Sequence, residues 1–322
     1  MKALVLHGKD QLPVISRTVD PPVERPKKAL VKIYAAALNH RDVWIMRGHY
    51  PGIHYPVILG SDGAGVYGND EVVIQPGTNW GDNPGCQGPD YQILGLPANG
   101  TFAEYALVDE SQVFKKPAHL TMEEAAALPL AGLTAFRVLF TNCQAQKGEK
   151  VLISGIGGGV ALTCMVFALT AGLEVYVTSS SDEKIEKAVA LGATGGANYF
   201  TNDWANNLRE ISGGFDIVID SAGGKGFPGL LKLCRPGARV GIYGGSAGKI
   251  PELSPQLLFW RQISIFGSTM GTNEEFGQML DFVSEHGVHP VIDSVYALDQ
   301  SDEAFRKMEK GSQFGKIVLL TA

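Results

Sequence analysis

The sequence lacks any grouping of cysteines that could staple the chain or ligate a metal. Cys86, Cys143, Cys164 and Cys234 lie far apart with no C-x-x-C pair, which excludes a disulfide framework and a cysteine-rich zinc knuckle. Cys164 falls in an apolar helical run and reads as a buried free thiol. No run of Lys or Arg occurs, and 27 basic against 33 acidic residues give a net charge of −6. Such a chain offers no electrostatic footprint for nucleic acid or an anionic membrane. Met1 to Leu6 form no signal-peptide core, because His7-Gly8-Lys9-Asp10 follows at once, so the expectation is a cytoplasmic, reduced protein. Repeats and low-complexity tracts are also missing. The one long uncharged run, residues 151–173, is long enough to cross a bilayer by count. However, Gly155, Gly157, Gly158 and Gly159 break it. It reads as a buried strand, a glycine turn and a buried helix.

What is present is ordinary globular material: 322 residues, 45% hydrophobic, enough for two domains each with a core. Forty glycines, against a usual share of ~7%, point to tight turns and close approaches of backbone to ligand. Up to about residue 118 the pattern is strand and loop. Ala3-Leu4-Val5-Leu6, Ala29-Leu30-Val31-Lys32-Ile33-Tyr34 and Glu71-Val72-Val73-Ile74 are short β-rich runs bounded by Pro, Gly or Asp. Residues 79–99 form a loop rich in Gly, Pro, Asn and Asp, of a length that is usually functional or mobile. Near Leu120 the pattern changes. Thr121-Met122-Glu123-Glu124 is a capping-box signature that starts a helix. Apolar strands ending at Ser154, Thr178, Asp220, Tyr243 and Gly267 then alternate with helical stretches such as residues 182–191. That alternation predicts a parallel sheet covered on both faces. After Gly271 come one or two helices and a last strand, Lys316-Ile317-Val318-Leu319-Leu320.

The most informative stretch is Val151-Leu152-Ile153-Ser154-Gly155-Ile156-Gly157-Gly158-Gly159-Val160-Ala161. A strand runs into glycines and then into a helix. Positions without side chains let backbone N–H groups approach a pyrophosphate at the positive end of the helix. A strict G-x-G-x-x-G from Gly155 meets Val160 at its third glycine, whereas G-x-x-G-x-x-G/A fits Gly155, Gly158 and Ala161. The next strand ends about twenty residues on, as the fingerprint requires. There an NAD site carries an acid for the ribose 2′-OH, but this chain has Ser179-Ser180-Ser181 and then Lys184. Hydroxyls and an ammonium attract a 2′-phosphate that a carboxylate would repel, so the expected cofactor is NADPH. Asp182 and Glu183 favour the helix N-terminus that follows.

By this point the chain resembles the medium-chain dehydrogenase/reductase superfamily over nearly its whole length. The resemblance is carried by Ala37-Leu38-Asn39-His40-Arg41-Asp42, Leu59-Gly60-Ser61-Asp62-Gly63-Ala64-Gly65-Val66, Leu133-Thr134-Ala135 and Gly315-Lys316-Ile317-Val318. It implies an α/β fold: a GroES-like β-rich domain (residues 1–118 and 271–322) with an inserted doubly wound Rossmann domain (residues 119–270). Within the superfamily the chain looks like the zinc-free quinone oxidoreductase and enoyl reductase branch. Zinc alcohol dehydrogenases place Cys where Asn39 stands, His-Glu where Ser61-Asp62 stand, and a third ligand near Leu130. Asn, Ser and Leu supply neither thiolate nor imidazole. The structural zinc lobe would need four cysteines in residues 79–99, where Cys86 is alone. His40, His49 and His54 are spaced so that no helical face gathers them. No metal is expected.

Without a Lewis acid, oxidation of a plain alcohol is hard. Delivery of hydride to an electrophilic carbon, in a quinone or the β-carbon of an enone or enoyl thioester, is easier. The expected activity is therefore zinc-independent and NADPH-dependent, on a small-molecule electrophile in the interdomain cleft. Two rivals stay open: an alcohol/aldehyde dehydrogenase of the same fold, and an NADPH-binding module without turnover. Tyr50, Asn39 and Arg41 are the catalytic candidates. Tyr50 would serve as oxyanion donor or proton source, or would merely pack its ring at the domain interface. Asn39 would hold carboxamide or ribose, or be a turn residue. Arg41-Asp42 could equally be a structural ion pair. The cofactor candidates are Asn39, Thr134, Gly155, Gly157, Gly158, Gly159, Val160, Ser179, Ser180, Lys184, Tyr199, Ser221, Tyr243, Gly244, Ser268 and Thr269. Resemblance further implies a homodimer joined by strands near Ser264-Ile265-Phe266.

Overall fold

The computed structural model describes residues 1–16 and 18–321. It divides into two compact units, Met1–Leu133 with Met270–Ala322, and Thr134–Thr269. The first break thus falls later than the expected boundary at residue 119. The capping-box helix Met122–Ala127, nucleated by Thr121, whose hydroxyl accepts from the Glu124 N–H at 3.2 Å, packs on strands Lys28–Ala37 and Asp62–Tyr67 of the first unit. Its buried face, Ala125, Ala126 and Ala127, consists of residues small enough to lie flat on a sheet.

The first unit is built on a seven-stranded sheet. Its path runs Val113–Lys115, Asp70–Ile74, Asp62–Tyr67, Lys28–Ala37, Lys316–Leu320, Ile292–Ala297, with Tyr105–Asp109 also pairing with Lys28–Ala37. All pairs are antiparallel except the last two strands of the path, which run parallel. Strand Ile292–Ala297 carries a mixed pattern, half-buried and exposed, and no apolar run announces it. Within Asp62–Tyr67, glycine is a steric requirement. A Cβ at Gly65 would lie 1.9 Å from the Lys32 carbonyl oxygen, so only a residue without one allows the pairing Ile33↔Gly65. Leu4, Leu6, Ile33, Leu38, Ile45, Phe102 and Phe305 fill the core beneath.

The second unit is a six-stranded parallel sheet, labelled here within the unit: β1 (Lys150–Ile153), β2 (Glu174–Ser179), β3 (Gly195–Asn198), β4 (Phe215–Asp220), β5 (Cys234–Ile242) and β6 (Ser264–Gly267). Its spatial order is β3-β2-β1-β4-β5-β6. Helices α1 (Gly159–Thr170), α2 (Asp182–Ala190), α3 (Trp204–Ser212), α4 (Phe227–Leu233) and α5 (Pro255–Arg261) connect them. That order reverses direction at β1, which puts a crevice at the carboxyl ends of β1 and β4. The run 151–173 is indeed strand, turn and helix. Among the described residues no helix is long and apolar enough to cross a membrane. The expected α/β class, β-rich domain plus Rossmann domain, is the observed one.

Candidate functional site

In the second unit, every strand delivers its carboxyl end to one edge. β1 stops at Ile153, and Gly155 and Gly157 turn the chain with φ of +67° and +117°, values at which L side chains are strained. The turn is anchored to both neighbours: the Ser154 N–H donates to the Ile219 carbonyl at 2.9 Å and the Ile156 N–H to the Thr178 carbonyl at 2.8 Å. Gly158 then heads α1 with no side-chain cap. The first-turn N–H groups of a helix have no partner within it. Bare glycine around them leaves room for an anion to approach. These residues therefore fit the pyrophosphate of a dinucleotide, and Gly155, Gly157, Gly158, Gly159 and Val160 are brought together as the fingerprint implies.

A buried acid that sequence reasoning missed braces this turn. Asp220, 1% exposed at the end of β4, accepts from the Ser154 hydroxyl and from the Gly223 N–H at 2.7 Å. The Ser154 oxygen in turn accepts from the Ser221 N–H at 3.3 Å. Nothing local in Val-Ile-Asp-Ser marks Asp220 as different from a surface acid. Its role emerges only because parallel pairing sets β4 beside β1.

The serines after β2 are not equivalent. Ser179 is buried, its hydroxyl oxygen accepting from the Ser181 N–H at 3.2 Å and its O–H donating to the Ile156 carbonyl at 3.5 Å. It stitches β2 to the glycine turn and does not face outward. Ser181 caps α2 by accepting from the Lys184 N–H at 3.3 Å. Ser180 alone is exposed. Lys184 folds back over the turn: a Cβ at Gly157 would lie 3.2 Å from its Nζ and 2.8 Å from its Cδ. Tyr199, exposed beyond β3, is tied to the same corner by its N–H to the Ser179 carbonyl at 3.0 Å, and its ring meets Phe200 edge-on at 5.0 Å. Asp182 points its carboxylate to the Asn198 amide at 3.0 Å.

Further along the edge, the Tyr243 N–H donates to the Asp220 carbonyl at 3.0 Å, and burial pushes its phenol well above the usual range. A Cβ at Gly244 would meet the Ser221 carbonyl oxygen at 2.6 Å. Ser268 donates its N–H to the Ile242 carbonyl at 2.8 Å, while its hydroxyl is buried without a hydrogen bond. Thr269 is exposed and Thr134, on the helix Pro129–Phe136, is buried.

The catalytic candidates lie in the first unit. Asn39 follows strand Lys28–Ala37 and stands at the N-cap of the short helix His40–Met46. Its side-chain amide donates to Asp62 at 2.8 Å, and its oxygen accepts from the Lys316 ammonium at 2.7 Å. Lys316 and Asp62 are themselves 2.9 Å apart, 3% and 0% exposed. The other Asp62 oxygen accepts from the Leu130 N–H at 2.8 Å. Arg41 donates to the Ser61 hydroxyl at 2.5 Å and the Leu94 carbonyl at 2.6 Å. Its guanidinium carbon stands 5.6 Å from the Tyr50 ring centroid, within cation–π range, and its Nε is buried with no hydrogen bond. Asp42, expected as the possible ion partner of Arg41, accepts from the Asn39 N–H at 2.8 Å, leaving its second oxygen buried and unpartnered. Burial pushes its carboxyl up to about 6, against the pull of Arg41 and of the Asn39 N–H. Tyr50 is half-buried, touching the core below.

These partners bear on a metal. Asn39, Ser61 and Leu130, the positions at which the resemblance implies zinc ligands, are engaged in hydrogen bonds with Asp62, Lys316 or Arg41, Leu130 through its backbone N–H. His40, His49 and His54 are exposed. Among the described residues no group of three or more His, Cys, Asp or Glu is gathered as an ion would need. Cys143, Cys164 and Cys234 are buried free thiols, with Cys143 and Cys234 pushed up to about 12 by burial. The donor set does not fit a catalytic zinc.

Residues 25–118 match the alcohol dehydrogenase GroES-like domain, and residues 159–285 match the zinc-binding dehydrogenase family. A zinc-type alcohol dehydrogenase-like protein, YogA of Leptosphaeria maculans, is 34% identical over 97% of this chain and 96% of its own. The chain belongs to the medium-chain dehydrogenase/reductase superfamily. Human quinone oxidoreductase is 30% identical, over 93% of this chain and 91% of its own. A solved NAD-dependent alcohol dehydrogenase superposes with a TM-score of 0.93 at 36% identity, covering both chains completely. As a member of this superfamily the protein is an NAD(P)-dependent oxidoreductase. The names of its relatives divide between the zinc-type and quinone-reducing branches. The match to the zinc-binding dehydrogenase family, residues 159–285, does not include Asn39, Ser61 or Leu130.

Proposed function

We propose that the protein is a zinc-independent, NADPH-dependent reductase of quinones or of activated C=C bonds. The observation that carries this reading is the Asn39–Asp62–Lys316 network, which engages Asn39, at an implied ligand position of the zinc branch, in hydrogen bonds to a carboxylate and an ammonium. A site whose Asn39, Ser61 and Leu130 side chains offer a divalent Lewis acid neither thiolate nor imidazole favours a substrate that is already electrophilic. Ser180 and Lys184 beside the glycine turn support a 2′-phosphate.

Bound NADPH supplies the hydride. The protein's share is to hold its phosphates on the N–H groups heading α1 and to present donors to the oxygen that gains charge as the substrate is reduced. The Tyr50 O–H is the group of the first unit suited to that oxygen, with the Arg41 guanidinium against its ring. Ser61 and the Leu94 carbonyl fix the guanidinium.

The test is consumption of NADPH with a panel of quinones and enones, alongside oxidised cofactor with alcohols and elemental analysis for zinc. Turnover of a quinone or enone without stoichiometric zinc is expected. Alcohol oxidation requiring bound zinc would refute the proposal and favour the second reading, a dehydrogenase like the 36%-identical structure. Cofactor binding with no turnover at all would point to a non-catalytic module. Tyr50→Phe should lower turnover about tenfold to a hundredfold while leaving NADPH affinity unchanged.

A further inference from the structure

We infer that Lys316 and Asp62 form a latch that holds the Asn39 amide in one orientation, so that the group Asn39 offers to a substrate is an N–H and not its oxygen. Lys316 is then a positioning residue for substrate recognition, 277 positions away in sequence from the residue it sets. The inference rests on the placement of Asn39 in the site proposed above.

The Lys316 ammonium has three hydrogens and three acceptors: the Leu38 carbonyl at 2.9 Å, Asn39 Oδ1 at 2.7 Å and Asp62 Oδ2 at 2.9 Å. Asp62 Oδ2 also accepts from Asn39 Nδ2 at 2.8 Å. These contacts close a ring, Oδ1 to Nζ to Oδ2 to Nδ2. A ring that uses both ends of one planar amide engages the hydrogen on the same side as the oxygen. The second hydrogen points to the other side and meets no acceptor among the described residues. Turning the amide over would set its NH2 against an ammonium and its oxygen against a carboxylate. In so buried a place both contacts are costly, which leaves one orientation. The backbone is equally fixed, with the Asn39 N–H on Asp42 at 2.8 Å and the Asn39 carbonyl accepting from the Asp42 N–H at 2.9 Å.

The ligand class follows. A fixed N–H donor beside a buried ammonium takes an acceptor oxygen, as in a quinone or an enone carbonyl. A group that can only donate, such as an ammonium, is a poor match there. The latch also explains why a lysine at the start of a strand is buried, a costly placement unless it is paired.

The test combines three proteins: Asn39→Ala, the pair Lys316→Met with Asp62→Asn (removing both charges together), and all three changes in one chain. Each is assayed with NADPH and 1,4-benzoquinone or an enone, with NADPH affinity measured separately. The pair should raise KM about tenfold, the value of one hydrogen bond, with NADPH Kd unchanged. Added to Asn39→Ala, it should raise KM no further. A merely structural role would give additive effects and would raise the NADPH Kd while lowering kcat. If the pair does not fold, Lys316→Arg keeps the charge but cannot close the ring, and the same rise in KM is expected. Wild-type KM in the foldable latch variant, while Asn39→Ala loses affinity, overturns the latch alone. Wild-type KM in Asn39→Ala overturns both the latch and the place of Asn39 in the site. No turnover of any quinone or enone by the wild-type protein refutes the functional reading and this inference with it.

Discussion

The Lys184 ammonium lies 3.2 Å from the point where a side chain on Gly157 would begin. A cation carried on α2 is thereby set across the glycine turn that heads α1. The same corner holds the exposed Ser180 and the Tyr199 ring. This arrangement ties cofactor choice to residues of two different strand–helix connections.

Lys184→Ala combined with Ser180→Asp should therefore weaken NADPH relative to NADH. Loss of a charge-assisted contact and gain of a repulsive carboxylate at a partly exposed site is worth about 1–2 kcal/mol, or roughly tenfold or more in the ratio of the two affinities. Fluorescence titration with both cofactors measures it. An unchanged ratio would place the 2′-phosphate elsewhere.

Asp220→Ala should cost stability before it costs chemistry. It strips the buried Ser154 hydroxyl and the Gly223 N–H of their acceptor, a loss of about 3 kcal/mol. Denaturant melts would register it as a lower midpoint. Because the turn loses its brace, affinity for either dinucleotide should fall as well. A variant as stable as the wild type would remove Asp220 from this role.

How far these features could be read beforehand depends on whether their causes are local. The strand, turn and helix of residues 151–173 were readable because apolar runs and glycine positions act within a few residues. The Thr121 capping box was readable for the same reason. Ser179, Ser180 and Ser181 are identical letters, and only the parallel register of β2 beside β1 separates a stitch, an exposed hydroxyl and a helix cap. Lys316 belonged to a recognised motif, yet its meaning lies in Asp62, which the chain reaches only by sheet pairing across 254 residues. The strand Ile292–Ala297 carries no apolar run to announce it, because its pattern is half-buried and exposed.

Asp42 should make stability fall as pH rises through the acid range. Its carboxyl ionises near the ordinary carboxylate value of 3.8 when unfolded but is pushed up to about 6 in the fold, first by burial and against the pull of Arg41. Between those values the folded state holds more protons than the unfolded state, so stability decreases with rising pH. Below about pH 4 the contribution is flat, and above about 6 the full cost of ionising the group has been incurred. Asp42→Asn keeps an acceptor for the Asn39 N–H and removes the titration. It should abolish that slope and raise stability at neutral pH by up to about 3 kcal/mol, the free-energy equivalent of about two pKa units. Melts from pH 4 to 7 on both proteins test the sign as well as the size.

The edge of the second unit's sheet predicts its assembly. Among the described residues β6 pairs with β5 alone, so its outer backbone groups are unpaired there, and such an edge invites a second strand. Beside it α5 presents Phe259 and Trp260, 65% and 84% exposed. Phe259 lines a groove of about 600 Å³ with Pro255, Leu258, Gln262, Ile263 and Ser264. Large apolar side chains left in water next to an open sheet edge mark an association surface, and we propose a homodimer formed by antiparallel pairing of two copies of β6. Trp260→Glu together with Phe259→Lys puts charge into that contact and should yield a monomer in sedimentation experiments, with NADPH affinity within about twofold of the wild type, a difference of under 0.5 kcal/mol. A wild-type chain that sediments as a monomer at micromolar concentration would remove the edge pairing. A variant that stays dimeric would move the interface to another face.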